Sequence, residues 1–321
     1  MNLSASAKKH NTEIWQKLTA PLALVIMCVS FSLASPFFLR IDNIMTIALQ
    51  TAITAITAYG MTFVIVSGCV DLSVGSVIAF TGVGAALMLQ AGIPIWLSLT
   101  LTLVLGALVG SFNGFMVARM KLPPFIATLG AQMALRGLAL ILTGAKPVYI
   151  QNVPSFKLLA QYRLFNVVPL PVVYTLVLGL LAAFLLRKTV IGRNVFAVGS
   201  NEEAARLSGI RVLKIRVFAY AFSGLMAAAA GIIMSSRVTS GQPSIAVGYE
   251  ANAIASAVIG GASMRGGHGS ISGSILGAFI LGVLMNGLNL LNVNQNWQTF
   301  AIGLVVILAV WVDKLRTSDR A

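Results

Sequence analysis

This chain of 321 residues is divided into long stretches that carry no charged side chain. The two longest, 72–118 and 266–312, contain no Asp, Glu, Lys or Arg. Shorter charge-free runs cover 18–39, 43–70, 122–135, 164–186, 217–236 and 251–264. A helix that spans a membrane needs roughly 20 apolar residues, so each of the two longest runs has room for two helices. The pattern predicts about ten membrane-spanning helices.

Composition agrees with a chain whose solvent is largely lipid. Hydrophobic residues make up 58% of the sequence and charged residues only 9%, whereas soluble domains carry about 25% charged residues. The apolar runs are continuous instead of alternating, which favours helices over a β-barrel. We therefore predict an all-α, polytopic transmembrane helix bundle in which residues 1–321 form a single membrane domain.

The predicted helices are separated by one long loop and one long polar segment. Helices are expected near 20–39, 43–66, 72–90, 95–118, 125–143, 168–186, 215–236, 251–263, 271–290 and 297–312. The loop 144–166 contains Pro147 and Pro154 and is too polar to span a membrane. The polar segment is 187–214.

Positive charges predict the orientation of these helices. With both termini in the cytoplasm, the inside positions are Lys8, Lys9, Lys17, Arg119, Lys121, Arg187, Lys188, Arg193, Arg206, Arg211, Lys214, Arg216, Arg265, Lys314, Arg316 and Arg320. The outside positions are Arg40, Lys146, Lys157, Arg163 and Arg237. This asymmetry follows the positive-inside rule. The loop 144–166 is then periplasmic, and the segment 187–214 is cytoplasmic.

Several functional classes are disfavoured. The net charge of +14 is explained by membrane orientation, so no nucleic-acid partner is expected. Cys28 and Cys69 both lie in apolar surroundings and suggest neither a disulfide framework nor a metal site. The sequence lacks a Gly-x4-Gly-Lys-Ser/Thr phosphate loop and has no plausible catalytic pair in His10 and His268. We expect no enzyme activity and no bound metal.

The segment 187–214 contains a short helix with signals at both ends. Ser200 or Asn201 is suited to cap its N-terminus, Glu202 and Glu203 oppose the positive helix end, Arg206 complements the negative end, and Gly209 terminates it. Two interpretations are open, a docking element for a soluble partner and a solvated connector.

Motifs along the chain resemble the permeases of ABC importers of the ribose, xylose and arabinose type. The stretch Ser67-Gly68-Cys69-Val70-Asp71-Leu72-Ser73-Val74-Gly75 is similar to their Ser-Gly-Gly-Ile-Asp-Leu-Ser-Val-Gly signature. The stretch 199–210 is similar to their cytoplasmic coupling segment, and matches extend from about 43 to 313. This sequence departs from the family at Cys69, often Gly, and at Asn252, often Asp.

The resemblance implies a set of partners. A permease of this family works as a dimer of identical or different chains in the bacterial inner membrane, with cytoplasmic ATPase subunits and a periplasmic sugar-binding protein. It transports a monosaccharide and binds no cofactor itself, since ATP is held by the ATPase. The coupling residues would be Asn201, Glu202, Glu203, Ala204, Ala205, Arg206, Ser208 and Gly209.

Two charged residues are expected within or near the membrane. Arg136 lies in the middle of the predicted helix 125–143, where an unpaired charge is expensive. Helix-end carbonyls or a carboxylate such as Asp71 would hold it, either as a structural element or as part of a pathway. Asp71 precedes Ser73 at a helix junction, where capping of the next helix is a sufficient alternative role. We expect Asp71 and Arg136 to lie near each other.

Neutral amides suit weak contacts with an uncharged sugar. Asn113, Asn252, Asn286 and Asn289 are therefore candidates for the translocation pathway or gate, together with Asp71, Ser73 and Arg136. Hydrogen bonding between helices is an equally good use for each amide.

Two rival functions remain open from the sequence. One is an ABC permease of the branched-chain amino-acid type, which is distantly similar. The other is an ion-coupled secondary transporter, although only Asp71 approaches the depth at which such proteins carry paired carboxylates. We also predict that the outside stretches 144–166 and 238–250 form much of the platform for the delivery protein.

Overall fold

A computed structural model describes residues 3–151 and 153–318, with side chains from Thr19 onward except at 312, 313 and 315–318. Two residues of the predicted topology, Asn152 and Arg320, lie outside the described residues. The described helices are α1 (Leu3–Ala34), α2 (Ile41–Val66), α3 (Val74–Gln90), α4 (Ile95–Ala118), α5 (Pro124–Thr143), α6 (Pro154–Gln161), α7 (Leu170–Lys188), α8 (Val190–Ser200), α9 (Glu202–Leu207), α10 (Val212–Val238), α11 (Tyr249–Ile259), α12 (Ile271–Leu290) and α13 (Gln295–Ser318). The described strands are β1 (Val148–Tyr149), β2 (Arg163–Leu164), β3 (Val168–Pro169) and β4 (Ser240–Gly241).

The prediction of a helical, multi-pass membrane protein is confirmed. Each predicted membrane helix has a counterpart, and six helices of the described chain are long and apolar enough to cross a membrane: α2, α4, α5, α7, α10 and α12. Shorter apolar helical stretches are Thr19–Ala34 in α1, Val74–Gln90 in α3 and Gln295–Trp311 in α13. With 11 residues, α11 is about 16 Å long, roughly half the thickness of a hydrocarbon core.

The centre of the bundle consists of α2, α10 and α12, which are the most buried of the six long helices. Two glycines allow α10 to approach α4 closely, because a Cβ on Gly224 would overlap the backbone of Gly106. Small residues serve this purpose in membrane proteins, where no hydrophobic force draws helices together.

Large apolar side chains face outward around this centre. Examples are Leu108 and Phe112 on α4, Met133 on α5 and Leu180 on α7, each 61–72% exposed. An apolar surface of this extent is unfavourable in water. It is suited to contact with lipid or with another membrane subunit.

The 17-residue helix α3 runs beside α10 in the same direction. Asp71, just before α3, contacts Ser223, and a Cβ on Gly82 further along α3 would meet Gly231 and Ser235 of α10. The first turn of α3 therefore lies level with the middle of α10. The loop 67–73 extends from the end of α2 to this level of the bundle.

The short helix α11 has the opposite arrangement. The segment 239–248 turns back from the end of α10, and its Gly241 packs against Val83 and Ala86 of α3. Just after this segment, the side chain of Glu250 in the first turn of α11 lies against Gly75, at the start of α3. The sequence placed Glu250 in an outside loop, whereas here it lies level with the middle of the bundle.

The predicted loop 144–166 is more ordered than expected. It contains α6, and β1 pairs antiparallel with β4 through Val148 and Gly241. Ser236 of α10 donates a hydrogen bond of 2.6 Å to the carbonyl oxygen of the buried Phe156 on α6. The loop is thus fastened to the end of α10.

Candidate functional site

A buried polar cluster surrounds Asp71 in the loop 67–73. Ser73 donates to Asp71 Oδ1 from its backbone nitrogen at 3.0 Å and from its hydroxyl at 2.6 Å. Ser223 on α10 donates to Oδ2 at 2.9 Å, and Asn113 on α4 donates to Ser73 Oγ at 2.8 Å. All four residues are at most 1% exposed. One carboxylate therefore joins the loop 67–73 to α4 and α10 through neutral donors.

This cluster lies deep in the bundle. Ser223 is about 17 Å along α10 from Val212, at 1.5 Å per residue. Tyr220 on the same helix donates a hydrogen bond of 2.8 Å to the carbonyl oxygen of Val70. A charge at such depth costs several kcal/mol when it lacks partners. The three donated hydrogen bonds make the position of Asp71 tolerable and fix the loop against α10.

A second polar cluster connects α5 with the segment 239–248 and α11. Nη1 of Arg136 donates to the carbonyl oxygens of Pro243 at 2.7 Å and Ile245 at 2.6 Å. One helical turn earlier, Gln132 Nε2 donates to Glu250 Oε1 at 3.2 Å. Both α5 side chains thus hold the chain around the start of α11.

Arg136 and Asp71 do not form the direct ion pair that the sequence suggested. Within the described part of the chain, the ion pairs join Glu202 to Arg206 and to Arg216. Arg136 is held by carbonyls instead, which was the other possibility, although they belong to a loop and not to a helix end. The reason is geometric, because Asp71 faces α10 while Arg136 faces the segment 239–248.

The other candidate amides lie apart from Asp71. Asn286 and Asn43 exchange two hydrogen bonds, of 2.9 and 3.0 Å, between α12 and α2. Asn289 accepts a hydrogen bond of 2.7 Å from Gln298 on α13. Asn252 is partly buried in the first turns of α11. The contacts of Asn286 and Asn289 are of the interhelical kind that the sequence left open.

The predicted coupling helix corresponds to α9, and its caps are as predicted. Asn201 accepts from the backbone nitrogen of Ala204 at 2.9 Å, and Gly209 ends the helix with φ of 83°. Glu202 pairs with Arg206 and with Arg216 of α10, both at 2.7 Å. The segment also contains Glu203, Ala204, Ala205 and Ser208, of which Ala205 is buried against the bundle.

A second helix in the segment 187–214 escaped prediction. This helix, α8, is capped by Thr189, whose hydroxyl accepts from the backbone nitrogen of Gly192 at 3.2 Å. Its sequence contains Gly192 and Gly199, which disfavour a helix when local propensity alone is considered. Packing against α7 and α10 overrides that preference.

The end of α8 touches the C-terminal end of α2. A Cβ on Gly199 would overlap the carbonyl oxygen of Val66, and the same oxygen accepts a hydrogen bond of 2.9 Å from the backbone nitrogen of Gly267. Gly68 lies beside Gly199 as well. The segment 187–214 therefore contacts the chain at the point where the loop 67–73 begins.

Several residues of these clusters were not predicted from the sequence. They are Asn43, Gln132, Arg216, Tyr220, Ser223 and, in its present position, Glu250. For Ser223 and Gln132, the one available signal was a polar side chain inside an otherwise apolar run. Their partners come from distant parts of the chain, so spacing in the sequence does not reveal them.

The arrangement offers neutral and charged hydrogen-bonding groups inside a bundle, linked to a polar segment at one end. No group of three or more His, Cys, Asp or Glu suited to a metal ion occurs among the described residues. The geometry is suited to holding the loop 67–73 in place.

The chain is similar to several known proteins, all of them transport permeases. Residues 43–310 match the family described as "Branched-chain amino acid transport system / permease component". The chain is 41% identical to the ribose import permease protein of Haemophilus influenzae over 295 residues, which is 91% of each chain. It is 40% identical to the ribose import permease protein of Escherichia coli K12 over 314 residues, covering 97% of this chain and 98% of the relative.

A further relative has a different named sugar. The chain is 37% identical to the L-arabinose transport system permease protein of Escherichia coli K12, covering 96% of this chain and 93% of the relative. No solved structure matches the chain.

These relatives are transport permeases and not enzymes, and they confirm the resemblance inferred from the motifs around Asp71 and Asn201. The match extends over most of the chain and over nearly the full length of each relative. This multi-pass membrane protein belongs to the family of transport-system permease components.

Proposed function

We propose that this chain is the membrane-spanning subunit of an ATP-driven importer for a monosaccharide of the pentose class. The named sugars of its relatives, ribose and arabinose, support this class over amino acids.

The contact of Gly199 with the end of α2 is the observation that supports the proposed mechanism. The loop 67–73 starts directly after that point, and Asp71 holds it against α10. A displacement of the segment 187–214 would act on the loop through a backbone contact without any flexible side chain between them. We therefore assign to Asn201–Gly209 the role of receiving work from the ATPase and to the loop 67–73 the role of gate.

The residues of the gate and pathway follow from this proposal. Asp71, Ser73 and Asn113 form the latch that holds the loop 67–73, and Arg136 holds the segment 239–248. Asn252 lies beside that segment at the start of α11. Asn286 would tie α12 to α2, and Asn289 would tie α12 to α13. Both would support the helices around the pathway without contacting the sugar.

The proposed topology is ten crossings with both termini in the cytoplasm. Support comes from α3 and α11, which are each too short to span a membrane with ease. Each is preceded by a loop that lies within the bundle, 67–73 for α3 and 239–248 for α11. A loop and a short helix together make one crossing, so these two pairs complete the count.

The proposed setting is the bacterial inner membrane, where the chain would pair with a second permease copy, identical or different. Cytoplasmic ATPase subunits would hold ATP, and this chain would bind no cofactor. The loop 144–166, fastened to α10, would receive a periplasmic sugar-binding protein. Most of the basic residues would face the cytoplasm and anionic lipid, with no nucleic-acid partner.

Uptake into proteoliposomes tests this proposal. The permease is reconstituted with its ATPase and binding protein, and labelled ribose, arabinose, xylose and leucine are offered with and without ATP. We expect accumulation of at least one pentose that requires ATP, the ATPase and the binding protein.

Two results would overturn the proposal. Accumulation of leucine without any pentose would identify a branched-chain amino-acid permease. Pentose uptake that persists without the ATPase and is abolished by an ionophore would identify a secondary transporter.

A further inference from the structure

The carboxylate of Glu250 has one buried oxygen without a donor. Oε1 accepts from Gln132 Nε2 at 3.2 Å and from the backbone nitrogen of Gly248 at 3.3 Å. Oε2 is buried and has no hydrogen-bond partner within the described part of the chain. An unpartnered buried carboxylate oxygen is expensive, and each such group in a folded protein requires an explanation.

The absence of a side chain at Gly75 leaves room for this oxygen. A Cβ at that position would overlap Glu250 Oε2 and the carbonyl oxygen of Ala246. The contact places Glu250 at the start of α3, level with the middle of α10. A molecule crossing the bundle would meet the carboxylate of Glu250 about halfway.

Donors without acceptors lie on the neighbouring helix α5. Arg136 uses Nη1 for the carbonyls of Pro243 and Ile245, while its Nε and Nη2 have no acceptor among the residues that the structure describes. A guanidinium has five N–H donors in a fixed plane. Arg136 is one helical turn from Gln132, so both side chains lie on the same side of α5.

Glu250, Gln132 and Arg136 are all partly exposed. The helix that carries the last two is the least buried of the six long helices, with Met133 70% exposed. All three side chains therefore reach the surface in part, and a local displacement that uncovers the buried Glu250 Oε2 beside Gly75 would let a molecule on this side of α5 contact it.

We propose that Gln132, Arg136 and Glu250 form a sugar-contacting site halfway along the translocation pathway, an inference that rests on the proposed function. The free carboxylate oxygen accepts from one sugar hydroxyl, and the free N–H groups of Arg136 donate to a neighbouring oxygen. A pentose presents adjacent hydroxyls, each of which both donates and accepts. An apolar amino-acid side chain has neither property.

The test uses the complete reconstituted transporter and the pentose that it accumulates fastest. Uptake of this sugar and of its monodeoxy derivatives is measured with each compound saturating the binding protein. The variants are Glu250→Gln and Gln132→Met, and Asp42→Asn is the matched control because Asp42 is an exposed carboxylate in the first turn of α2. ATPase stimulation by the loaded binding protein is recorded in parallel.

We expect the wild type to move at least one deoxy derivative about tenfold more slowly per ATP than the parent sugar, as expected for loss of a hydrogen bond to a charged group. In Glu250→Gln this preference falls to less than threefold, while ATPase stimulation stays within twofold of wild type. Gln132→Met shows the same loss of preference to a smaller degree and serves if Glu250→Gln does not fold. Asp42→Asn retains the full preference.

Three results would overturn the inference. The first is an unchanged preference in both variants. The second is an equal fall of sugar uptake and ATPase stimulation for every compound, which indicates a structural role alone. The third is a wild-type transporter that moves the parent and every deoxy derivative at one rate per ATP, since the pathway then reads no hydroxyl. A wild type that accumulates no pentose would instead overturn the proposed function itself.

Discussion

Ser223 on α10 donates a hydrogen bond of 2.9 Å to Oδ2 of Asp71, across an interval of 152 residues in the chain. This bond attaches the loop 67–73 to α10, one of the three helices at the centre of the bundle. Ser73 serves only the other oxygen, Oδ1. Ser223 is therefore the partner whose loss leaves a buried carboxylate oxygen without a donor.

We predict that Ser223→Ala destabilises the protein by about 1–3 kcal/mol, the typical effect of an unsatisfied buried acceptor. Thermal denaturation in detergent measures the loss. The control is Ser111→Ala, because that hydroxyl bonds only to Ala107 within its own helix. A denaturation midpoint equal to that of Ser111→Ala would contradict the role assigned to Ser223.

A second prediction concerns Gly199, where α8 meets α2. In Gly199→Ala the new Cβ would overlap the carbonyl oxygen of Val66, so α8 must shift away from the loop 67–73. We expect sugar uptake to fall at least tenfold with membrane insertion intact. Gly303→Ala is the control, since its Cβ meets open space. Wild-type uptake in Gly199→Ala would show that close contact at this point is unnecessary.

A third prediction tests whether Asn286 stabilises the contact between two helices. Its amide is used in two hydrogen bonds with Asn43, so Asn286→Ala and Asn43→Ala should each lower the denaturation midpoint. Both single variants remove the same pair of hydrogen bonds. The loss of stability in the double variant should therefore be smaller than the sum of the two single losses, by about 0.5–3 kcal/mol. Additive losses would argue against the pair as a unit.

The helices could be predicted from charge-free runs because lipid tolerates few charges, and every predicted helix has a helical counterpart, six of them long and apolar enough to cross a membrane. The position of Glu250 could not be predicted in this way. A carboxylate beside an apolar run normally marks the end of a span, yet Gln132 and the backbone nitrogen of Gly248 receive it inside the bundle. Local sequence carries no information on such distant partners.

The candidate site was predicted only in part for the same reason. Asp71, Ser73 and Asn113 do form one network, and the caps of α9 at Asn201 and Gly209 follow from local chemistry that the sequence displays. The pairing of Asp71 with Arg136 was inferred from charge alone. Neutral donors surround Asp71, and backbone carbonyl oxygens accept from Arg136, an arrangement that charge counting does not anticipate.

A fourth prediction concerns topology. Reporter fusions that end after Gly144 and after Lys188 should report opposite sides of the membrane, outside for the first and inside for the second. The expectation follows from the basic residues of the segment 187–214 and the positive-inside rule. Identical signals from the two fusions would refute the proposed ten crossings.

In the proposed mechanism, Asn201–Gly209 transmits the work of the ATPase to the loop 67–73. The most direct measurement is the number of sugar molecules accumulated per ATP hydrolysed in proteoliposomes, compared between the wild type and a variant in which 201–209 is replaced by a flexible Gly-Ser linker of equal length. We expect the variant to insert into the membrane, to dock the binding protein and to move less than one tenth of the wild-type sugar per ATP. Normal sugar transport per ATP in the linker variant would contradict it, because the segment would then be only a connector.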